Sequence, residues 1–160
     1  GGADGVFFIF LPRRSDQTLE FDYAHVTEKS RENPVFYVQY AHARACSVLR
    51  QSKSPLRQDI AVQRLVDIHE VRVIRQLACF PAMVESAARM HEPHRIAFYL
   101  IDLASLFHGL WNAGRDNSAL RFIIDDDEEL TEARFALVST IRYVIAQGLA
   151  LMGITPLEEM

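Results

Sequence analysis

Tyr37, Tyr40, Arg44 and Ser47 recur at intervals of three and four in the stretch NPVFYVQYAHARACSVLR. That spacing places them on one side of a helix. Rings beside a guanidinium form a surface for stacking flat groups and for donating to acceptors or phosphate. A plain core helix needs neither. The same helix opens a locally basic stretch: from Arg44 to Arg75 the chain carries Arg44, Arg50, Lys53, Arg57, Arg64, Arg72 and Arg75 against only Asp59, Asp67 and Glu70. Such a stretch inside an acidic chain can track phosphates, and it equally describes solvated helix faces.

Other chemistries find less support. Cys46 and Cys79 are far apart in apolar helical settings, and two lone cysteines make neither a zinc knuckle nor, without a secretory leader, an expected disulfide. His91 and His94 have a helical metal-ligand spacing, but Pro93 lies between them and no nearby Cys, Asp or third His completes a set. No glycine-rich phosphate loop, nucleophile elbow or nucleophile–base pair is visible. The expectation is therefore no catalytic residue, no cofactor site and no metal site in this chain.

These groups must be held by helices. Asn33 suits an N-cap and Pro34 a first turn, so a helix starts there and runs through the apolar positions Val35, Val38, Ala41, Ala45 and Val48. Ser52, Lys53, Ser54 and Pro55 open a linker. Residues 59–80 read as one broken helix or two short ones, with a further helix from Pro81 to about Met90 and a long one from Pro93 to about Gly114. Residues 115–127 read as a polar loop. The last helix is expected over 131–152, ended by Gly153 with Pro156 forbidding its return. Residues 1–30 are the least helical part: VFFIFL has strand character, LEFDYAHV alternates, and PRRSDQ between them has turn chemistry. The fold class expected is all-α, a bundle of about five helices with a short irregular or strand-containing N-terminal appendage.

Size and charge set the frame. One domain with a small appendage accommodates 160 residues, and 49% hydrophobic content supports a real core. No apolar run reaches the roughly 18 residues of a membrane span, and no secretory signal is visible. The chain opens on Gly-Gly-Ala-Asp without a Met, which reads as a piece of a longer protein. Residues 1–80 hold 11 Lys/Arg against 9 Asp/Glu, a net of +2, and residues 81–160 hold 6 against 12, a net of −6.

The string NPVFYVQYAHARACSVLR resembles the arginyl-tRNA synthetases, class I enzymes, at the join between the catalytic part and the DALR anticodon-binding domain. EPHRIAFYLIDLASLFHGLWN resembles the family's middle helix, and ARFALVSTIRYVIAQGLALMGITPLEEM its last helix and tail. GADGVFFIFL followed by LEFD resembles the region just after the KMSKS loop, with Gly5 and Phe7 in place of the family's Ala and Arg. The likeness covers nearly the whole chain, least of all residues 114–128. It implies a C-terminal fragment in which residues 1–30 end the catalytic and stem-contact region and residues 31–160 form the anticodon-binding domain. The full-length enzyme would attach arginine to its tRNA using ATP and Mg bound upstream, in the cytoplasm, and this fragment alone would be inactive. Its partners would be the tRNA for arginine and the N-terminal catalytic domain of the same chain, with no membrane and no DNA.

By the same resemblance, Tyr37, Arg50, Trp111 and Met160 match positions that handle the anticodon. Tyr37 and Trp111 would stack on unpaired bases, Arg50 would donate, and a free carboxylate at Met160 would accept from a cytosine amino group. A pocket between the opening and closing helices, lined by the rings and shut by the chain's last atoms, is the arrangement expected. Arg50, thirteen residues after Tyr37, is about 20 Å along the helix and off its face, so those two do not grip one base. Arg44 and Tyr40 are further candidates on helical geometry. Gln39 and His42 belong to the same string, with either tRNA contact or a joining role open to them. The family usually has Tyr at the Trp111 position, so the stacking surface is kept and a phenol hydroxyl is lost. The alternatives are the anticodon-binding domain of another class I synthetase, such as the cysteine enzyme, and a helical protein-interaction module.

Overall fold

A computed structural model describes residues 33–52 and 59–160, and within them the chain forms five α-helices and two short 3-10 turns. The expected bundle is observed. The N-terminal appendage expected over residues 1–30 lies outside the described residues.

Helix α1 spans Pro34–Leu49. Asn33 caps it, its side-chain oxygen accepting from the N–H groups of Val35 (3.2 Å) and Phe36 (3.5 Å). Val38, Ala41, Ala45 and Val48 form its buried stripe. Residues 59–80 hold one 3-10 turn, Val62–Arg64, and one helix, α2, Ile68–Ala78. Asp67 sets the start of α2 through a capping box: it accepts from the His69 N–H at 2.8 Å, while Glu70 accepts from the Asp67 N–H at 3.1 Å. Cys79 ends α2 and starts α3, Phe80–Met90, where Pro81 occupies the first turn. His91 closes α3 in the left-handed region at φ 54°.

Helix α4, His94–Asp116, is the central element, and it packs against all four other helices. Its Leu100, Leu103, Phe107 and Leu110 are wholly or almost wholly buried, as are Ile141, Ile145 and Leu149 of the last helix. Each such side chain contributes about 1.5–3 kcal/mol by leaving water. By length and composition alone α4 could cross a membrane, a reading the sequence expectation had excluded; here its apolar residues are the core of the bundle.

The last helix, α5, spans Glu128–Leu151 and begins three residues earlier than the periodicity suggests. The acidic run explains the difference. Asp127 caps the helix by accepting from the Leu130 N–H at 3.1 Å, and Glu128 and Glu129 meet the positive end of the helix dipole. Arg64 forks onto both Asp127 oxygens at 2.6 Å, tying the 3-10 turn to this cap. As expected, Gly153 ends α5, with φ 72° and the Ile154 N–H returning to the Leu149 carbonyl at 2.9 Å. Gly148 lets α5 approach α4 closely, since a Cβ there would lie 2.6 Å from Leu100 Cδ2.

Candidate nucleic-acid interface

The equipped side of α1 faces α4, and a cluster of rings forms between them. Arg44 is its centre. Its guanidinium carbon lies 4.5 Å from the Tyr40 ring centroid and 4.4 Å from that of Trp111. Nη2 donates to the Tyr40 hydroxyl at 2.7 Å and Nη1 to Nδ1 of His108 at 2.8 Å. A guanidinium only donates, so His108 Nδ1 accepts and its proton sits on Nε2, directed at the Tyr37 carbonyl at 3.5 Å. The Tyr37 ring tilts against the buried His108 ring, with centroids 4.7 Å apart, and Tyr40 stacks on the same imidazole at 5.5 Å. Trp111 continues the row to Phe122, centroids 6.0 Å apart.

This row ends at a cleft of about 590 Å³. Val48 and Gln51 come from the end of α1, Trp111, Gly114 and Arg115 from the end of α4, and Arg121, Phe122, Ile123 and Asp125 from the following loop. The size suits a small flat ligand, and the wall combines an aromatic surface with two arginines. Phe122, an aromatic in a polar loop, was the available sequence signal for this wall. His108 gave none, because its partners are 64 and 71 residues away.

The C-terminal tail lies elsewhere. Gln39 clamps it with both halves of its amide: Nε2 donates to the Thr155 carbonyl at 2.9 Å, and Oε1 accepts from the Leu157 N–H at 2.8 Å. His42 Nδ1 lies 2.7 Å from the Leu157 carbonyl and therefore donates to it. Gln39 and His42 thus join elements. Arg50 donates to the Glu158 carbonyl at 3.4 Å and pairs with Glu159 at 3.5 Å. Gln39, His42, Cys46 and Arg50 form one stripe of α1, roughly 150° around the helix from Tyr37, Tyr40 and Arg44 at 100° per residue.

The structure therefore brings Tyr37, Tyr40, Arg44 and Trp111 together and leaves Arg50 with the tail that ends at the exposed Met160. The pocket expected between opening and closing helices, with rings and terminus on one side, is replaced by a ring cluster between α1 and α4 and a tail on the opposite stripe. The cause is the helical period: the buried stripe of Val38, Ala41, Ala45 and Val48 lies between those two flanks.

Cys46 and Cys79 are both free, one buried and one exposed, and burial pushes the Cys46 thiol up. His91 ends α3, and His94 sits edge-on to Phe98.

Residues 38–160 match the family model of the DALR anticodon binding domain. The chain belongs to that family. The DALR match takes in all of α4, α5, the tail and the Tyr40–Arg44–Trp111 cluster. The chain is also 51% identical over 169 residues to the arginine–tRNA ligase of Rhodospirillum rubrum, covering 99% of this chain and 28% of that protein. It is 51% identical over 167 residues to that of Parvibaculum lavamentivorans, covering 99% and 29%. Among solved structures it is similar to the arginyl-tRNA synthetase of Thermus thermophilus, with TM-score 0.77, 28% identity and coverage of 98% of this chain and 26% of that one. The Plasmodium falciparum arginyl-tRNA synthetase, 19% identical, shares the fold with TM-score 0.79, over 98% of this chain and 26% of that one. The DALR chain thus spans under a third of the length of these relatives.

Proposed function

We propose that this DALR domain is the anticodon-reading end of an arginine–tRNA ligase. Residues 31–160 form the reading unit, and residues 1–30 close the catalytic and stem-contact region. The ligase as a whole joins arginine to its tRNA with ATP and Mg, bound by a catalytic domain upstream in the same chain, and works in the cytoplasm. This chain supplies binding and orientation, and by itself it is inactive in charging.

The observation that carries the reading is the row of Tyr40, Arg44 and Trp111, the guanidinium set against both rings, with Trp111 forming a wall of the cleft. Proteins read single-stranded loops by stacking splayed bases on aromatic rings and guanidinium planes, and by bonding to base edges. Tyr40, Arg44 and Trp111 provide those surfaces, the first two fixed by His108 and the third set against Arg44 and Phe122. Arg50 and the Met160 carboxylate, brought by the tail to the far flank of α1, serve a neighbouring nucleotide. The names of the two curated relatives favour arginine over the cysteine alternative.

Filter binding of the full-length ligase to purified tRNAs for arginine and for cysteine, over a salt series, tests this. Preference for the arginine tRNA with affinity falling steeply with salt is expected. Equal retention of both tRNAs, or affinity indifferent to salt, would favour a different synthetase or a protein-interaction module.

A further inference from the structure

The outer wall of the cleft is the segment that follows the 3-10 turn Ser118–Leu120, residues 121–125, with almost no regular structure. Two features fix its position, one beneath the loop and one at the cleft's inner edge. The first is Arg134 on α5, buried to 4% exposure, which reaches under the loop. Its Nη1 donates to the carbonyls of Ala119 at 2.8 Å and Arg121 at 2.6 Å, while Nε donates to Glu70 at 2.7 Å. Glu70 is itself 1% exposed, and its other oxygen accepts from the Asp67 N–H at 3.1 Å. The second feature is Gly114: a Cβ there would lie 2.8 Å from the Leu120 carbonyl oxygen and 3.3 Å from Arg121 Cα. Those are backbone atoms, so the loop rather than a rotamer would have to give.

A buried ion pair is weak evidence for stability, because desolvating both charges offsets much of their attraction. What this pair supplies is geometric: Nε is anchored on Glu70 while Nη1 holds two loop carbonyls, the second on the residue directly before Phe122, which packs on Trp111. Arg121, on the same segment, lines the cleft beside Arg115.

We infer that Arg134, backed by Glu70 and by the missing side chain of Gly114, is the positioning residue for the tRNA-binding cleft, setting the loop that carries Arg121 and Phe122 to the nucleotide. This rests on the reading of the cleft given above. Arg134 does not touch RNA; it acts through the Ala119 and Arg121 carbonyls.

The test compares three variants of the full-length ligase: Gly114→Ala, the double Arg134→Gln with Glu70→Gln, and Trp111→Ala. Gly114→Ala moves the loop without disturbing the ion pair, and alanine favours the helix that holds it. It therefore tests the placement of the loop, on which the proposal depends, even where the double variant fails to fold. The expected result is a rise of about tenfold in KM for tRNA in Gly114→Ala and in the folded double variant, with kcat and the KM values for arginine and ATP unchanged, as for a misplaced binding wall. A general structural defect would lower kcat as well. Should Trp111→Ala raise the tRNA KM while both wall variants match the parent, the positioning role is wrong and the cleft reading stands. Should all three match the parent, the cleft reading itself fails and takes the positioning role with it.

Discussion

Gln39 and Leu157 stand 118 residues apart in sequence, yet the side-chain carbonyl of the first accepts from the backbone N–H of the second at 2.8 Å. With the Thr155 carbonyl held at 2.9 Å by the same amide, the end of the chain is laid along α1 in one register. The tail is thereby a structural partner of the first helix, on the flank opposite the ring cluster. Replacing Gln39 with Leu removes both bonds. Net hydrogen bonds contribute about 0.5–1.5 kcal/mol each, so a loss of about 1–3 kcal/mol in denaturant unfolding is expected. Faster hydrogen exchange at the Leu157 amide should accompany it, and unchanged exchange would show that the tail is held by other contacts.

The tail's last group can be tested separately. Arg50 receives Glu158 and Glu159, so the chain end is delivered to the outer end of α1. A short extension after Met160 in the full-length ligase should weaken arginine charging and leave the thermal midpoint where it was. Charging as efficient as the parent's would remove the terminal carboxylate from the interface.

Glu70 and Arg134 lie buried together, and Glu70 also completes the capping box of α2. Glu70→Ala leaves Arg134 as an uncompensated buried charge and removes the bond to the Asp67 N–H. A destabilisation of about 3–5 kcal/mol is expected in urea unfolding. A change below about 1 kcal/mol would mean that water or another group takes over the guanidinium.

Acid should weaken the fold through two helix caps. The backbone N–H of His69, aided by its ring, holds the Asp67 carboxyl below its ordinary range; the Arg64 guanidinium, with the Leu130 N–H, does the same for Asp127. A carboxyl lowered in the folded state stabilises it fully above the unfolded pKa, and that share is lost as pH falls through the folded value. The unfolding midpoint should therefore be flat near neutrality and decline as pH falls below the ordinary carboxylate range, about pH 4. Asp127→Asn should flatten part of that decline, and an unaltered profile would remove this cap from the account.

Much of this architecture is legible locally. Asn33 and Pro34 announce α1, Gly153 ends α5, and the period of Val38, Ala41, Ala45 and Val48 identifies the buried stripe. The start of α5 was misplaced because Asp127, one acid in a run of five, gives no sign of being the cap until Arg64 is seen upon it. The site was legible in its types and less so in its partnerships. Tyr37, Tyr40 and Arg44 share a face by spacing alone, but Trp111 joins them only through the packing of α4 on α1. Tyr40 and Arg44 meet within one turn of α1, as their spacing suggests, whereas the Arg44–His108 bond spans 64 residues and depends on how α1 and α4 cross. Gln39, His42 and Arg134 act on segments that no periodicity links to them.

Replacing Trp111 tests the central claim most directly, since it is the chain's single tryptophan and a wall of the cleft. Stacking on a base is worth roughly 1–3 kcal/mol, so Trp111→Ala in the full-length ligase should raise the KM for tRNA by about five- to a hundred-and-fifty-fold. KM for arginine and for ATP should stay as in the parent, and Trp111→Phe should restore much of the loss. Equal shifts for all three substrates, or none for tRNA, would contradict the account.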